Sequence, residues 1–110
     1  MNLQVQKTIG KYPLEVIDLF THLRKLLFDS VSGEITETKW AGMPSYYLGG
    51  RFIRLIPFKD HINVEASAIA GHTEQLQGYK MTPKGMLQLF VKQPVPDKIL
   101  VEIFREMSEK

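Results

Sequence analysis

The chain contains no cysteine. That excludes disulfide scaffolding, thiol nucleophiles, iron–sulfur ligation and thiolate zinc sites. No apolar run approaches membrane-spanning length, and the opening MNLQVQKTIGKYP has neither an apolar core segment nor a small-residue cleavage site. A soluble, cytoplasmic chain is the expectation. Excess charge of one sign is also missing: 14 basic and 12 acidic residues are spread among one another, leaving a net +2. A dedicated nucleic-acid binder shows a basic stripe, so no nucleic-acid partner is expected from this balance. There is no Gly-x-Ser-x-Gly elbow and no glycine-rich phosphate loop. The chain reads as non-enzymatic.

What is present belongs to one globular domain spanning residues 1–110. The hydrophobic share of 44% is enough for a modest core and argues against disorder. Tyr12-Pro13-Leu14-Glu15 marks a helix start, with Pro at the first helical position and an acid in the first turn. Val16, Leu19, Phe20, Leu23, Leu26 and Leu27 then recur at helical period until Ser30–Gly33 stops the run. Beyond Gly33 the texture turns β-branched and aromatic. Strands are predicted near Glu34–Trp40, Ser45–Leu48, Arg51–Phe58, His61–Ser67 and Met86–Val91, with a short helical turn over His72–Gln77. Thr82-Pro83-Lys84-Gly85 has the residues of a type I turn. Pro94–Asp97 opens a last helix whose apolar face is Leu100, Ile103, Phe104 and Met107. The order predicts an α+β two-layer sandwich: an antiparallel sheet of about five strands with the N- and C-terminal helices on one face.

Two tight turns set a register. A two-residue loop at Gly49-Gly50, with positive φ open to both residues as a type I′ turn needs, places Tyr47 opposite Phe52 and Tyr46 opposite Ile53. The same loop at Lys59-Asp60 places Phe58 opposite His61, Ile56 opposite Asn63 and Arg54 opposite Glu65. Alternation then assigns Tyr46, Ile53, Leu55, Ile62, Val64 and Ala66 to the helix-covered core. The opposite face carries Tyr47, Phe52, Arg54, Ile56, Phe58, His61, Asn63 and Glu65, with no predicted element left to cover it. An apolar patch rimmed by polar groups marks a contact surface.

Two sets of residues are candidates for binding. Glu15, Asp18, His22 and Asp29 form a carboxylate stripe with one imidazole on the first helix, interrupted by Lys25; oxygen ligands of this kind suit hard cations such as iron or magnesium. Lys59, His61, Tyr79, Lys80 and Lys84 cluster around turns and offer cations and aromatics to a small anion or a partner protein. Trp40, Tyr47 and Phe58 extend that surface over the sheet. His61 and Glu65 lie four apart, which separates them by roughly 13 Å on a strand and rules out an HExxH-type pair.

The ordered series Trp40-Ala41-Gly42-Met43-Pro44-Ser45-Tyr46, Gly49-Gly50, Phe58-Lys59-Asp60-His61-Ile62 and Gly78-Tyr79-Lys80, with Lys84-Gly85 downstream, resembles the YdhG-like family of small bacterial domains. The resemblance runs from about Pro13 to Met107. It implies a frataxin-like fold, and a role described for some members as intracellular iron chaperones. A frataxin-like accessory protein that handles iron is one expectation. A protein-interaction or small-anion module using the open sheet face, as a monomer or weak homodimer, is the other.

Overall fold

The computed structural model describes residues 1–109. Its first element was not expected. Asn2 caps a short helix α1 (Leu3–Ile9), its Oδ1 accepting from the N–H of Gln4 and Val5 at 2.9 and 3.2 Å. Val5 and Ile9, one helical turn apart, are the only buried residues of this element, too few to show a period in the sequence. Helix α2 (Leu14–Ser30) begins one residue after Pro13, which serves as its N-cap rather than its first residue. Its buried side chains are Val16, Leu19, Phe20, Leu23 and Leu27. Helix α3 (Asp97–Ser108) buries the expected Leu100, Ile103, Phe104 and Met107.

The sheet has six antiparallel strands rather than about five: β1 (Thr36–Trp40), β2 (Met43–Leu48), β3 (Arg51–Pro57), β4 (His61–Glu65), β5 (Lys80–Met81) and β6 (Leu87–Phe90), in the order β1-β2-β3-β4-β6-β5. The extra strand, β5, is two residues long and so carries no alternation to detect. Both hairpin registers follow the turn arithmetic, with Tyr47 opposite Phe52 and Arg54 opposite Glu65. At Gly49-Gly50 only the first glycine has positive φ (+67°), which fits a type II′ turn and not the type I′ expected.

The stretch between the strands expected at Glu34–Trp40 and Ser45–Leu48 is a third tight hairpin. Trp40 pairs with Met43 across Ala41 and Gly42, both at positive φ (+50° and +81°), the signature of a type I′ turn. Strand β2 therefore starts at Met43, and Pro44 lies inside it opposite Lys39. The ladder from β2 to β3 ends at Ser45 and Arg54, one position short of Pro44, which has no N–H to donate.

Tyr46, Leu48, Ile53, Leu55, Ile62, Val64, Leu87 and Leu89 share one sheet face and are buried with the apolar sides of the helices. A 3-10 helix (Ser67–His72) follows β4 and rests on α3, and the helical turn expected at His72–Gln77 comes after it, the Leu76 N–H donating to the His72 carbonyl at 3.1 Å. The Thr82–Gly85 turn forms as expected, the Gly85 N–H donating to the Thr82 carbonyl at 2.9 Å. Among the described residues no helix is long and apolar enough to cross a membrane.

Candidate functional site: an uncovered aromatic sheet face

The helices all sit on the Tyr46/Ile53 side, so the alternate residues of each strand face outward. On β1–β3 they build a layered group. The Arg54 guanidinium lies between two rings, 4.1 Å from the Trp40 centroid and 3.9 Å from that of Phe52. Its Nε donates to Ser45 Oγ at 3.1 Å and its Nη1 to Glu65 Oε1 at 3.2 Å, the cross-strand pair that the register required. Arg54 is thereby buried, while Trp40 above it stays 50% exposed. Tyr47 extends the group sideways, 6.5 Å from Phe52.

A second ridge crosses β3, β4 and β6. Phe58 stacks on His61 at 4.5 Å with the rings 4° from parallel, and His61 stacks in turn on Phe90 at 4.7 Å. His61 Nδ1 is 2.8 Å from Asp60 Oδ1, which fixes the ring in the stack. Lys80 Nζ lies 5.5 Å from the Phe90 centroid, and Phe58 is 41% exposed. Beside the ridge, Lys80, Phe90 and Lys92 line a shallow cavity of about 400 Å³ with Gly78, Gln93 and Pro94.

Between the two groups runs a level row. Ile56 pairs with Asn63, Asn63 with Gln88, and Gln88 with Lys80. Asn63 is buried, and its Oδ1 has no hydrogen-bond partner. Two carboxamides thus stand side by side between aromatic walls. Each offers a donor and an acceptor.

The residues singled out from the sequence divide accordingly. Trp40, Tyr47, Phe58, His61 and Lys80 do belong to this face, and Lys59 sits exposed in the turn at its edge. Tyr79 does not: its hydroxyl donates to the Pro94 carbonyl at 2.7 Å and its ring packs against the core. Lys84 is also separate, because the β5–β6 hairpin points its tip to the opposite end of the strands. There it borders a cavity of about 330 Å³ with Gly50, Arg51 and Met107. Phe90, Asn63 and Gln88 were not anticipated as one group. The alternation Leu87-Gln88-Leu89-Phe90 hints at it, but only the β4–β6 pairing shows which neighbours they meet.

The α2 stripe is partly committed elsewhere. His22 Nε2 is 2.8 Å from Asp97 Oδ1 on α3, and Asp29 accepts from Lys25 at 2.5 Å. Glu15 and Asp18 are exposed. Among the described residues no three His, Asp or Glu side chains are grouped to hold a metal ion.

Two polar networks lie behind the sheet. Glu37 accepts from Arg24 Nε (2.6 Å) and Tyr46 Oη (2.8 Å) on one oxygen, and from Arg24 Nη2 (3.2 Å) and the Asn2 N–H (2.6 Å) on the other. Burial pushes the Glu37 carboxyl up, yet these donors together hold it below the usual carboxylate range. Burial and the same carboxylate raise the Tyr46 hydroxyl, and the Glu37 hydrogen bond raises Arg24. The second network centres on His72, whose ring nitrogens each face an acceptor: Nδ1 meets Gln75 Oε1 and Nε2 meets Glu106 Oε2, both at 2.5 Å. The Gln75 bond raises its pKa most; burial opposes, and Glu106 and Glu102 add to the rise. Both networks tie helices to strands or loops.

Comparison with known proteins finds no matching family model, no matching curated protein and no matching solved structure.

Proposed function

We propose that this chain is a binding domain without catalytic chemistry of its own, and that the uncovered sheet face is its contact surface. The observation that carries this reading is the pair of aromatic ridges. Trp40 and Phe58 are held half in water by Arg54 and His61, although packing them inward would gain about 25 cal/mol per Å². Rings fixed in place lose little entropy when something docks on them, which suits a contact surface. The polar groups of the face also support binding over chemistry, since Arg54 is paired with Glu65 and His61 with Asp60.

The α+β arrangement is compatible with the frataxin-like fold that the YdhG-like resemblance implies. The iron-handling role draws less support, because two of its four candidate ligands are bonded to other side chains.

The test is an amide NMR screen of small planar aromatic fragments, neutral and anionic, against isotope-labelled protein. Shifts gathering on β3, β4 and β6 around Phe58 and Asn63 are expected. Fragments that scatter over the helices, or that bind only near Lys84, would refute the assignment of this surface.

A further inference from the structure

We infer that the open face takes single-stranded nucleic acid, with bases on the Phe58–His61–Phe90 ridge and the Asn63/Gln88 row, and phosphates along the flanking lysines. This rests on the reading of the sheet face as the contact surface and names its ligand.

Three observations converge on it. The first is the stack. Phe58, His61 and Phe90 stack face to face from strand to strand, so both faces of His61 are taken and the face left open is the outer one of Phe58, room for one base. The exposed side of Phe58 continues a stack already formed below it. Any base can lie on such a platform because every base has a π-face. The second is the polar row beside it. Asn63 and Gln88 are cross-strand neighbours, and Asn63 Oδ1 is buried without a partner. A carboxamide has donor and acceptor side by side, the pattern that matches a base edge. Turning the Asn63 amide over would present its oxygen outward, and a base amino group would satisfy it.

The third is where the charge sits. Averaged over the chain, +2 points away from nucleic acid. The fold redistributes it. Residues 34–94 carry seven Lys and Arg against five Asp and Glu, whereas the segments on either side hold seven of each. All the net charge therefore belongs to the sheet and its turns. One of the five carboxylates, Glu37, is also turned inward against Arg24. Lys59, Lys80 and Lys92 stand exposed around the ridge, with Lys80 and Lys92 both lining the cavity at Phe90. Planar rings, base-edge amides and an edge of exposed ammonium groups together fit a strand with its bases splayed out. A duplex, whose bases are hidden in the stack, would use only the lysines.

The experiment measures binding of a fluorescein-labelled single-stranded RNA decamer, its DNA counterpart and the blunt duplex by anisotropy, with amide shifts mapped on the unlabelled strands. The expected result is saturable binding of the single strands, weaker binding of the duplex, and shifts on β3, β4 and β6. If three phosphates are neutralised, affinity falls by about eighteenfold between about 50 and 200 mM salt. Phe58→Ala should weaken binding at least about fivefold, with Phe58→Tyr restoring most of it. Lys80→Ala and Lys92→Ala should each flatten the salt slope by about 0.7, and Lys98→Ala on α3 should do neither. All four positions lie at the surface, so the variants should fold.

The inference is overturned if neither strand binds, if the duplex binds as well as the strands, or if Phe58→Ala leaves affinity unchanged. Should decamers fail while planar fragments still gather on the face, the nucleic-acid assignment falls and the contact surface stands. Should both miss the face, both readings fall.

Discussion

Replacing Glu37 by Gln changes one oxygen to an NH₂ group and removes one charge, and the four donors around that carboxylate set the cost. Both oxygens accept two hydrogen bonds, so the new nitrogen must face a pair of donors either way. Placed at the Asn2 side, it opposes the Asn2 N–H and Arg24 Nη2, neither of which can accept. Placed at the Tyr46 side, it donates to a rotated Tyr46 hydroxyl and leaves only Arg24 Nε without an acceptor. The second orientation is cheaper. It forfeits one charge-assisted bond, about 1.5–3 kcal/mol, and some attraction to the guanidinium. Arg24 keeps 23% of its side chain in water and lies over Phe28 at 4.3 Å, which softens the loss. The expected cost is about 2 kcal/mol. Glu37→Leu, which removes every acceptor, should cost about 3–4 kcal/mol, toward the range for breaking a buried pair. Urea unfolding followed by far-ultraviolet circular dichroism reads both, and suits this chain better than the emission of the half-exposed Trp40. The pH dependence gives a second check. Because Glu37 is lowered on folding, its contribution is present above the ordinary carboxylate range and is lost as pH falls through the folded value. The gap between wild type and Glu37→Gln should therefore close on acidification below about pH 4. A Gln variant within about 0.5 kcal/mol of wild type at neutral pH, or a gap indifferent to acid, would refute this account.

His72 should show the opposite sign. Its pKa is raised on folding, so its contribution is full below about pH 6.5 and fades as pH rises through the folded value. Thermal melts should show wild type losing about 1–2 kcal/mol more than His72→Gln on going from about pH 6 to about pH 9. Ala41→Asn should stabilise by about 0.5–1 kcal/mol, since Ala41 holds a left-handed conformation that Asn adopts more readily and Asn-Gly favours this turn; a destabilised variant in chemical denaturation would contradict the assigned hairpin. Anaerobic titration of ferrous iron, followed by amide line broadening, should give no saturable effect confined to Glu15–Asp29. Such an effect, abolished by Asp18→Asn, would restore the iron-handling reading.

The parts legible in the sequence were those governed by neighbours along the chain. Gly49-Gly50 and Lys59-Asp60 are two-residue loops, and counting outward from them placed the side chains from Phe52 to Ile56 and from His61 to Glu65, with Tyr46 and Tyr47, on the correct faces. Ala41-Gly42 was missed because alanine is not a turn residue, and its positive φ is imposed by the strands it joins. Pro44 reinforced the misreading, since proline within a strand argues against pairing; here it is tolerated where the ladder to β3 stops. For the site, Tyr47, Phe58 and His61 were visible as an outward face, and Trp40 only as an aromatic available for contact. Phe90, Gln88 and the displacement of Lys84 were not, because they depend on β6 entering beside β4 with β5 outside it. No local signal encodes that choice. The Arg24–Glu37 pair was hidden for the same reason: it joins a helix to a strand across the core.

The strand order has a kinetic consequence. The first four strands form a meander in which each hairpin closes over two residues, contacts that assemble early because little loop entropy opposes them. Strand β6 reaches β4 only after the chain has looped through the 3-10 helix and the two-residue β5. The ridge is thus built in two instalments. Trp40, Arg54 and Phe52 come with the meander, and Phe90 completes the other stack when the last strand docks. Hydrogen exchange should report the same division in reverse, with the amides of β6 released at a lower opening free energy than those of β2 and β3. The molecule would then lose half of its contact surface by a partial opening that leaves the helices and the remaining strands in place.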